Sequence, residues 1–242
     1  MAGTPRPINE EVDTSEGARN AAAMDNVTVA NLRAEAEALA AALPAGEPLD
    51  PQAAALIRLA VAVSASALDR AGTAEATRQA FDAGSSIAQV QEVIALVSGL
   101  GVHSLMISAA DVLAEAGQRG LIDPTAPYDA ERQALWDRHV GTDPFWTGFS
   151  EQLPGFLDAM LRLSPDIFAA FFAYCAVPWT SGTVRARVKE LAAMACDVTP
   201  THRFRPGFLV HLHNAIRLGT GRIAILHALN IAAAAPEHRG NA

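Results

Sequence analysis

The chain has 242 residues, half of them apolar and few aromatic, with a formal net charge of −8. That length buries a sizeable core, as one large domain or two fused small ones. An acidic balance, with pI near 5.3, excludes nucleic acid as the expected partner, because neutralising phosphates needs a basic surface.

Residues 1–25 mix Pro, Gly, Glu, Asp and Thr without period and are expected to form a disordered tail. A first helical unit is expected over 26–120. It opens with a helix from Val27 to Leu43 that stops at Pro44-Ala-Gly46. Asp50 as N-cap and Pro51 at the first helical position predict the start of a second helix. Gly72, Gly84 and Gly101 are read as breaks between three further helical segments ending near Ala116. Residues 121–182, cut by prolines and holding Trp136, Trp146 and Trp179, are expected to be a helical connector lying across the units. A second helical unit is expected over 183–242. Its helices run to about Val198, then through Arg217, then from Gly219 to about Ala234. No alternating strand pattern is present, so the fold class is all-α. Abundant Ala, the best intrinsic helix former, agrees.

No apolar run is read as reaching the ~18–20 residues that span a bilayer. Met1–Ala23 lacks the apolar stretch of a signal peptide. The expected location is cytoplasmic, with no membrane partner. Cys175 and Cys196 form no local motif and are expected to be buried free thiols.

The two units match each other at an offset of 135 residues. Leu56 falls on Leu191, Ala60 on Ala195, Gly72 on Gly207, Gly84 on Gly219 and His103 on His238. A repeat directs attention to a site between related units.

Four of the seven histidines lie between 202 and 227. His211 and His213 are two apart on a helix, hence roughly 200° apart, and cannot chelate one ion from it. No metal site and no cofactor are expected. His213 is read as solvated. His211 stands at the edge of the stripe formed by Phe208, Leu212 and Ala215, where burial or a carboxylate tunes an imidazole for proton transfer. The alternative is a core-edge histidine bonded to a backbone carbonyl. His202 either points into the same cleft or helps start the next helix. His103, after Gly101, either faces the cleft or is an ordinary helix-start residue. Glu190 points away from its helix's apolar stripe of Val188, Leu191, Ala192 and Ala195. This predicts a surface carboxylate unless that opposite face meets another unit or subunit.

The segments Lys189-Glu190-Leu191 to Cys196-Asp197, Thr201-His202 to Pro206-Gly207, and His211 to Gly219 resemble the carboxymuconolactone decarboxylase and alkylhydroperoxidase D-like family. Residues 49–116 are similar, and Phe168–Phe172 with Val177-Pro178-Trp179 is similar to the linker of tandem members. The resemblance implies two tandem alkylhydroperoxidase D-like helical units joined by a helical connector. It also implies Glu190, His202 and His211 as catalytic residues. Peroxidase members carry a Glu, then Cys-x-x-Cys, then a His. Here positions seven and four before His211 are Phe204 and Gly207, so thiol peroxidase chemistry is not expected. The first unit has Ala55, Ala67 and Ala76 where the second has Glu190, His202 and His211.

The resemblance therefore implies a cofactor-independent enzyme. His211 is general acid or base, assisted by Glu190 or His202, in decarboxylation, isomerisation or cyclisation of a small organic acid, lactone or related metabolite. His103, Trp179 and Phe204 are expected to line the substrate pocket, and Phe208 to pack in the core. The rival is a non-catalytic scaffold or ligand-binding protein. Convergence of His202, His211 and Glu190 at a concave surface favours the enzyme, and divergence into solvent the scaffold. Family members assemble as rings of such units, so a homo-oligomer, dimer or trimer, is expected.

Overall fold

The computed structural model describes residues 27–236 and His238. The tail expected over 1–25 lies outside the described residues. Thr28 starts α1 (Val29–Ala40) through a capping box with Asn31. Asp50 accepts the Ala53 amide at 2.7 Å and Pro51 takes the first turn of α2 (Pro51–Val63), as their order predicts. α3 (Arg70–Asp82) and α4 (Ile87–Ser98) follow, and a 3-10 turn over Gly99–Val102 feeds α5 (His103–Gln118). The connector forms α6 (Ala130–His139), α7 (Pro144–Gln152), α8 (Phe156–Leu163) and α9 (Pro165–Thr180). The second unit forms α10 (Ala186–Asp197), α11 (Arg205–Arg217) and α12 (Arg222–Ala233). No strand occurs among the described residues, and the chain is all-α.

Gly72 is not a break but lies inside α3. The Asp69 side chain folds over it, and a Cβ there would collide with the Asp69 carboxylate.

α2, α3 and α4 recur 135 residues later as α10, α11 and α12, their bounds agreeing to within one residue. The backbone repeats its irregularities as well. Leu68 and Arg203 both take left-handed conformations (φ 41° and 49°), and Gly84 and Gly219 do so just beyond α3 and α11 (φ 83° and 78°). Equivalent positions also touch. Arg185 pairs with Asp50, and the Thr201 hydroxyl donates to the Ser66 carbonyl at 2.7 Å. The halves thus face each other about an approximate two-fold axis.

At the centre lie α2 and α10, with Val188 through Asp197 continuously buried. A helix buried on every side belongs to the interior, and its many alanines let neighbours approach closely. The first core joins α1 to α4 with α10 to α12. A second, aromatic core joins α5 to the connector helices and takes Phe204 and Val210 from the second unit.

Ile87–Gln118 is, by length and composition, apolar enough to cross a membrane, which corrects the run-by-run reading of the sequence. In the fold, Val90, Val93, Leu96 and Val97 of this stretch pack into the first core. Glu92 is buried in an ion pair with Lys189 at 2.7 Å, while Ile107 and Val112 on α5 remain exposed.

Candidate functional site

A cavity of about 420 Å³ lies between α4, α5, α7, α9, α10 and α11. Most of its wall is apolar, from Leu100, Met106, Trp146, Phe149 and Phe172 among others. Its polar side is made by Glu190, His103, His211 and Asn214. An apolar chamber with a few convergent polar groups is the usual form of a small-molecule site.

Glu190 is buried, not a surface carboxylate. The wheel of α10 was right about the apolar stripe, but the opposite face is covered within the same chain by the cavity wall. There the Glu190 Oε2 lies 2.7 Å from His211 Nδ1. A carboxylate only accepts, so Nδ1 carries the proton and donates. Nε2 then has no hydrogen-bond partner among the described residues and is the atom offered to a bound molecule. Burial opposes a charged His211, but the Glu190 hydrogen bond and charge, with the Asp197 charge beyond, outweigh it and raise its pKa above the ordinary value. Trp179 stacks parallel to the imidazole, with centroids 6.2 Å apart and an 8° tilt.

Trp179 is held from behind. Lys189 donates to the Pro178 carbonyl at 2.6 Å and to Glu92 at 2.7 Å, and its ammonium lies 5.7 Å from the Trp179 ring centroid. Burial alone would raise the Glu92 carboxyl, but hydrogen bonds from Lys189, Ser181 and Thr183 hold it down to about 2.

His202 does not reach the His211–Glu190 pair. The turn after α10 bends at Arg203 and returns the Phe204 amide to the Asp197 carbonyl at 2.8 Å. This lays His202 beside His103, with Nε2 2.8 Å from His103 Nδ1. The Asp197 Oδ1 stands 3.8 Å from His103 Nδ1 and 3.6 Å from His202 Nε2. Asp197 is wholly buried, and neither carboxylate oxygen has a hydrogen-bond partner among the described residues. Burial, partly countered by the His211 charge, pushes its pKa up to about 8. Burial, with repulsion from His202 and His211, pushes His103 down to about 3, and burial lowers His202. Phe204 stacks on His103 at 4.0 Å in the aromatic core rather than forming cavity wall.

The outcome for the sequence candidates is therefore uneven. Glu190, His211, His103 and Trp179 meet at the cavity, His202 stands behind His103, and Phe204 buttresses it. Phe208 is core and His213 is exposed, as expected. Sequence reasoning missed Asp197 and Asn214. Asn214 falls three residues after His211, on its face of α11, whereas Asp197 gave no local signal. The matching alanines of the first unit, Ala55, Ala67 and Ala76, are all buried. Burial raises the thiol pKa of Cys175, and burial with the Asp197 charge raises that of Cys196 well above the ordinary value, so neither is a poised thiolate.

The all-helical chain, with its histidine–carboxylate pair at an apolar chamber, is similar to a crystal structure described as "a putative gamma-carboxymuconolactone decarboxylase subunit" from Burkholderia xenovorans. That chain is 30% identical, with a TM-score of 0.66, over 76% of the present chain and 71% of its own length. No protein-family model and no curated protein matches the sequence. The chain belongs to the carboxymuconolactone decarboxylase family.

Proposed function

We propose that the chain is an enzyme resembling carboxymuconolactone decarboxylase, which moves protons on a small organic acid, lactone or related metabolite with an apolar body. The observation that carries this reading is the Glu190–His211 hydrogen bond at the wall of an apolar cavity. Glu190 fixes the tautomer and orientation of His211, and Nε2 takes a proton from substrate carbon or delivers one to it. Decarboxylation, isomerisation and cyclisation each contain such a step. Expulsion of water by the aromatic walls strengthens the charge interactions involved. His103 and Asn214 are positioned to meet a carboxylate or lactone oxygen.

The test is incubation with a panel of small carboxylates, lactones and aromatic acids in D₂O, read by NMR for solvent deuterium entering carbon and for new products. The wild-type chain is expected to act on at least one compound, and His211→Gln to lose about 10²–10⁴-fold in rate. If compounds bind with no turnover or exchange, the protein is a ligand-binding scaffold that keeps the fold without the reaction.

A further inference from the structure

Outside the Glu190–His211 pair, a second cluster has no role in the proton transfers just described. His103 comes from the start of α5, Asp197 from the end of α10 and His202 from the following turn, so the fold brings together three separate stretches of chain. Their Nδ1, Oδ1 and Nε2 atoms form a triangle with sides of 2.8, 3.6 and 3.8 Å. His103 Nδ1 and His202 Nε2 hydrogen-bond each other, and an ion would replace the proton they share: the point equidistant from the three corners is about 2.0 Å from each, the length of a zinc bond to imidazole nitrogen or carboxylate oxygen. We propose that His103, Asp197 and His202 bind one divalent transition-metal ion through these three atoms.

The buried carboxylate supplies the independent argument. Asp197 has no exposed surface, and both its oxygens lack a hydrogen-bond donor. Enclosing such a group unpaired is costly, and a cation between it and the two imidazoles removes that cost. The position is also shaped around it. A Cβ at Gly207 would lie 2.5 Å from Asp197 Oδ2 and 2.8 Å from the Phe204 ring. Glycine is therefore what lets α11 pass over the carboxylate, and the same Phe204 ring stacks on His103. Two imidazoles and one carboxylate suit zinc, iron(II) or cobalt(II) better than magnesium or calcium, which prefer all-oxygen shells. His103 also lines the cavity, whereas Asp197 and His202 do not, so an ion held there would stand behind the cavity wall. This departs from the sequence expectation of no metal, and it stands whether or not His211 is catalytic.

The full chain, freed of metal with a chelator and dialysed, is titrated with zinc by calorimetry and with cobalt by visible absorption. One equivalent per chain is expected, with cobalt showing the d–d bands of a low-symmetry protein site. Asp197→Asn and His202→Gln should each weaken zinc binding by more than about 100-fold, while exposed His213→Gln still takes up one equivalent. Circular dichroism confirms that each variant is folded, and zinc should raise the melting temperature of the wild type but not of D197N. Failure of the wild type to bind stoichiometrically overturns the proposal, as does undiminished affinity in folded D197N and H202Q. His211→Gln, which removes the proposed proton transfer, should bind zinc like the wild type, so the two readings fail separately.

Discussion

Lys189 and Glu92 are each only 3% exposed and tie α10 to α4 behind the cavity. Removing one partner of a buried ion pair leaves an uncompensated charge and costs roughly 3–5 kcal/mol. The structure separates the two directions. With Lys189→Met, the Glu92 carboxylate keeps the Val184 amide at 3.1 Å and the Thr183 hydroxyl, so the cost should sit near ~3 kcal/mol. With Glu92→Leu, the Lys189 ammonium keeps the Pro178 carbonyl and the face of Trp179 but, among the described residues, no anionic partner, and the cost should approach ~5 kcal/mol. The double variant removes both charges and should be less destabilised than E92L alone, a coupling that a double-mutant cycle reads directly. For a chain of this size each kcal/mol shifts the melting temperature by roughly 2–4 °C, so K189M should melt roughly 6–12 °C lower. Urea unfolding followed by far-UV circular dichroism and by tryptophan fluorescence gives the free energies, provided the two transitions coincide. The reasoning is refuted if K189M costs less than ~1 kcal/mol, or if the single effects simply add in the double variant.

Four further outcomes are expected. Glu190→Gln removes the charge and the accepting carboxylate that raise His211, so the His211 pKa should fall in an NMR titration; an unmoved titration curve would contradict the assignment of that pair. Because the Glu92 pKa is depressed in the fold, its contribution to stability should be complete above about 4.5 and lost as pH falls toward about 2, a loss absent from E92L in acid unfolding. Gly219→Ala should cost about 1 kcal/mol, because the position is left-handed at φ 78° with open space around a Cβ; an unchanged unfolding midpoint would dispute that cap. Ile107 of α5 is exposed, and self-association of the chain is proposed to cover it. Light scattering should give a dimer or trimer that Ile107→Asp dissociates, and a monomeric wild type at micromolar concentration would refute it.

Local signals in the sequence carried most of the fold. The Asp50-Pro51 pair fixed the start of α2, and the matched glycines 84 and 219 marked equivalent helix ends because both require a left-handed backbone. Gly72 misled because a glycine inside a helix carries the same letter as one that ends it. His211 was visible from its place at the margin of an apolar stripe. Glu190 was half visible: a helical wheel reports which face is apolar, but not that α10 lies at the centre with its polar face turned onto a chamber. The His103–Asp197–His202 cluster was hidden for a different reason. Its members are separated by up to 99 residues, and only the turn at Arg203 and the 3-10 turn before α5 bring them together.

The approximate two-fold axis has a consequence for what each side is free to become. Near such an axis every position meets its own counterpart, as 50 meets 185 and 66 meets 201. Were the two sides separate copies of one sequence, a carboxylate there would face another carboxylate, and no residue serves as its own counter-ion. Covalent union lifts that identity constraint, and Asp50 against Arg185 is a pairing that only unlike halves can make. The same licence permits Glu190 and His211 on one side while alanines 55 and 76 fill the other. Each chain therefore carries the histidine–carboxylate pair on one side only, while the equivalent hollow of the other side, bordered by Arg58, Asp69, Glu75 and His227, has Ala76 where His211 would stand.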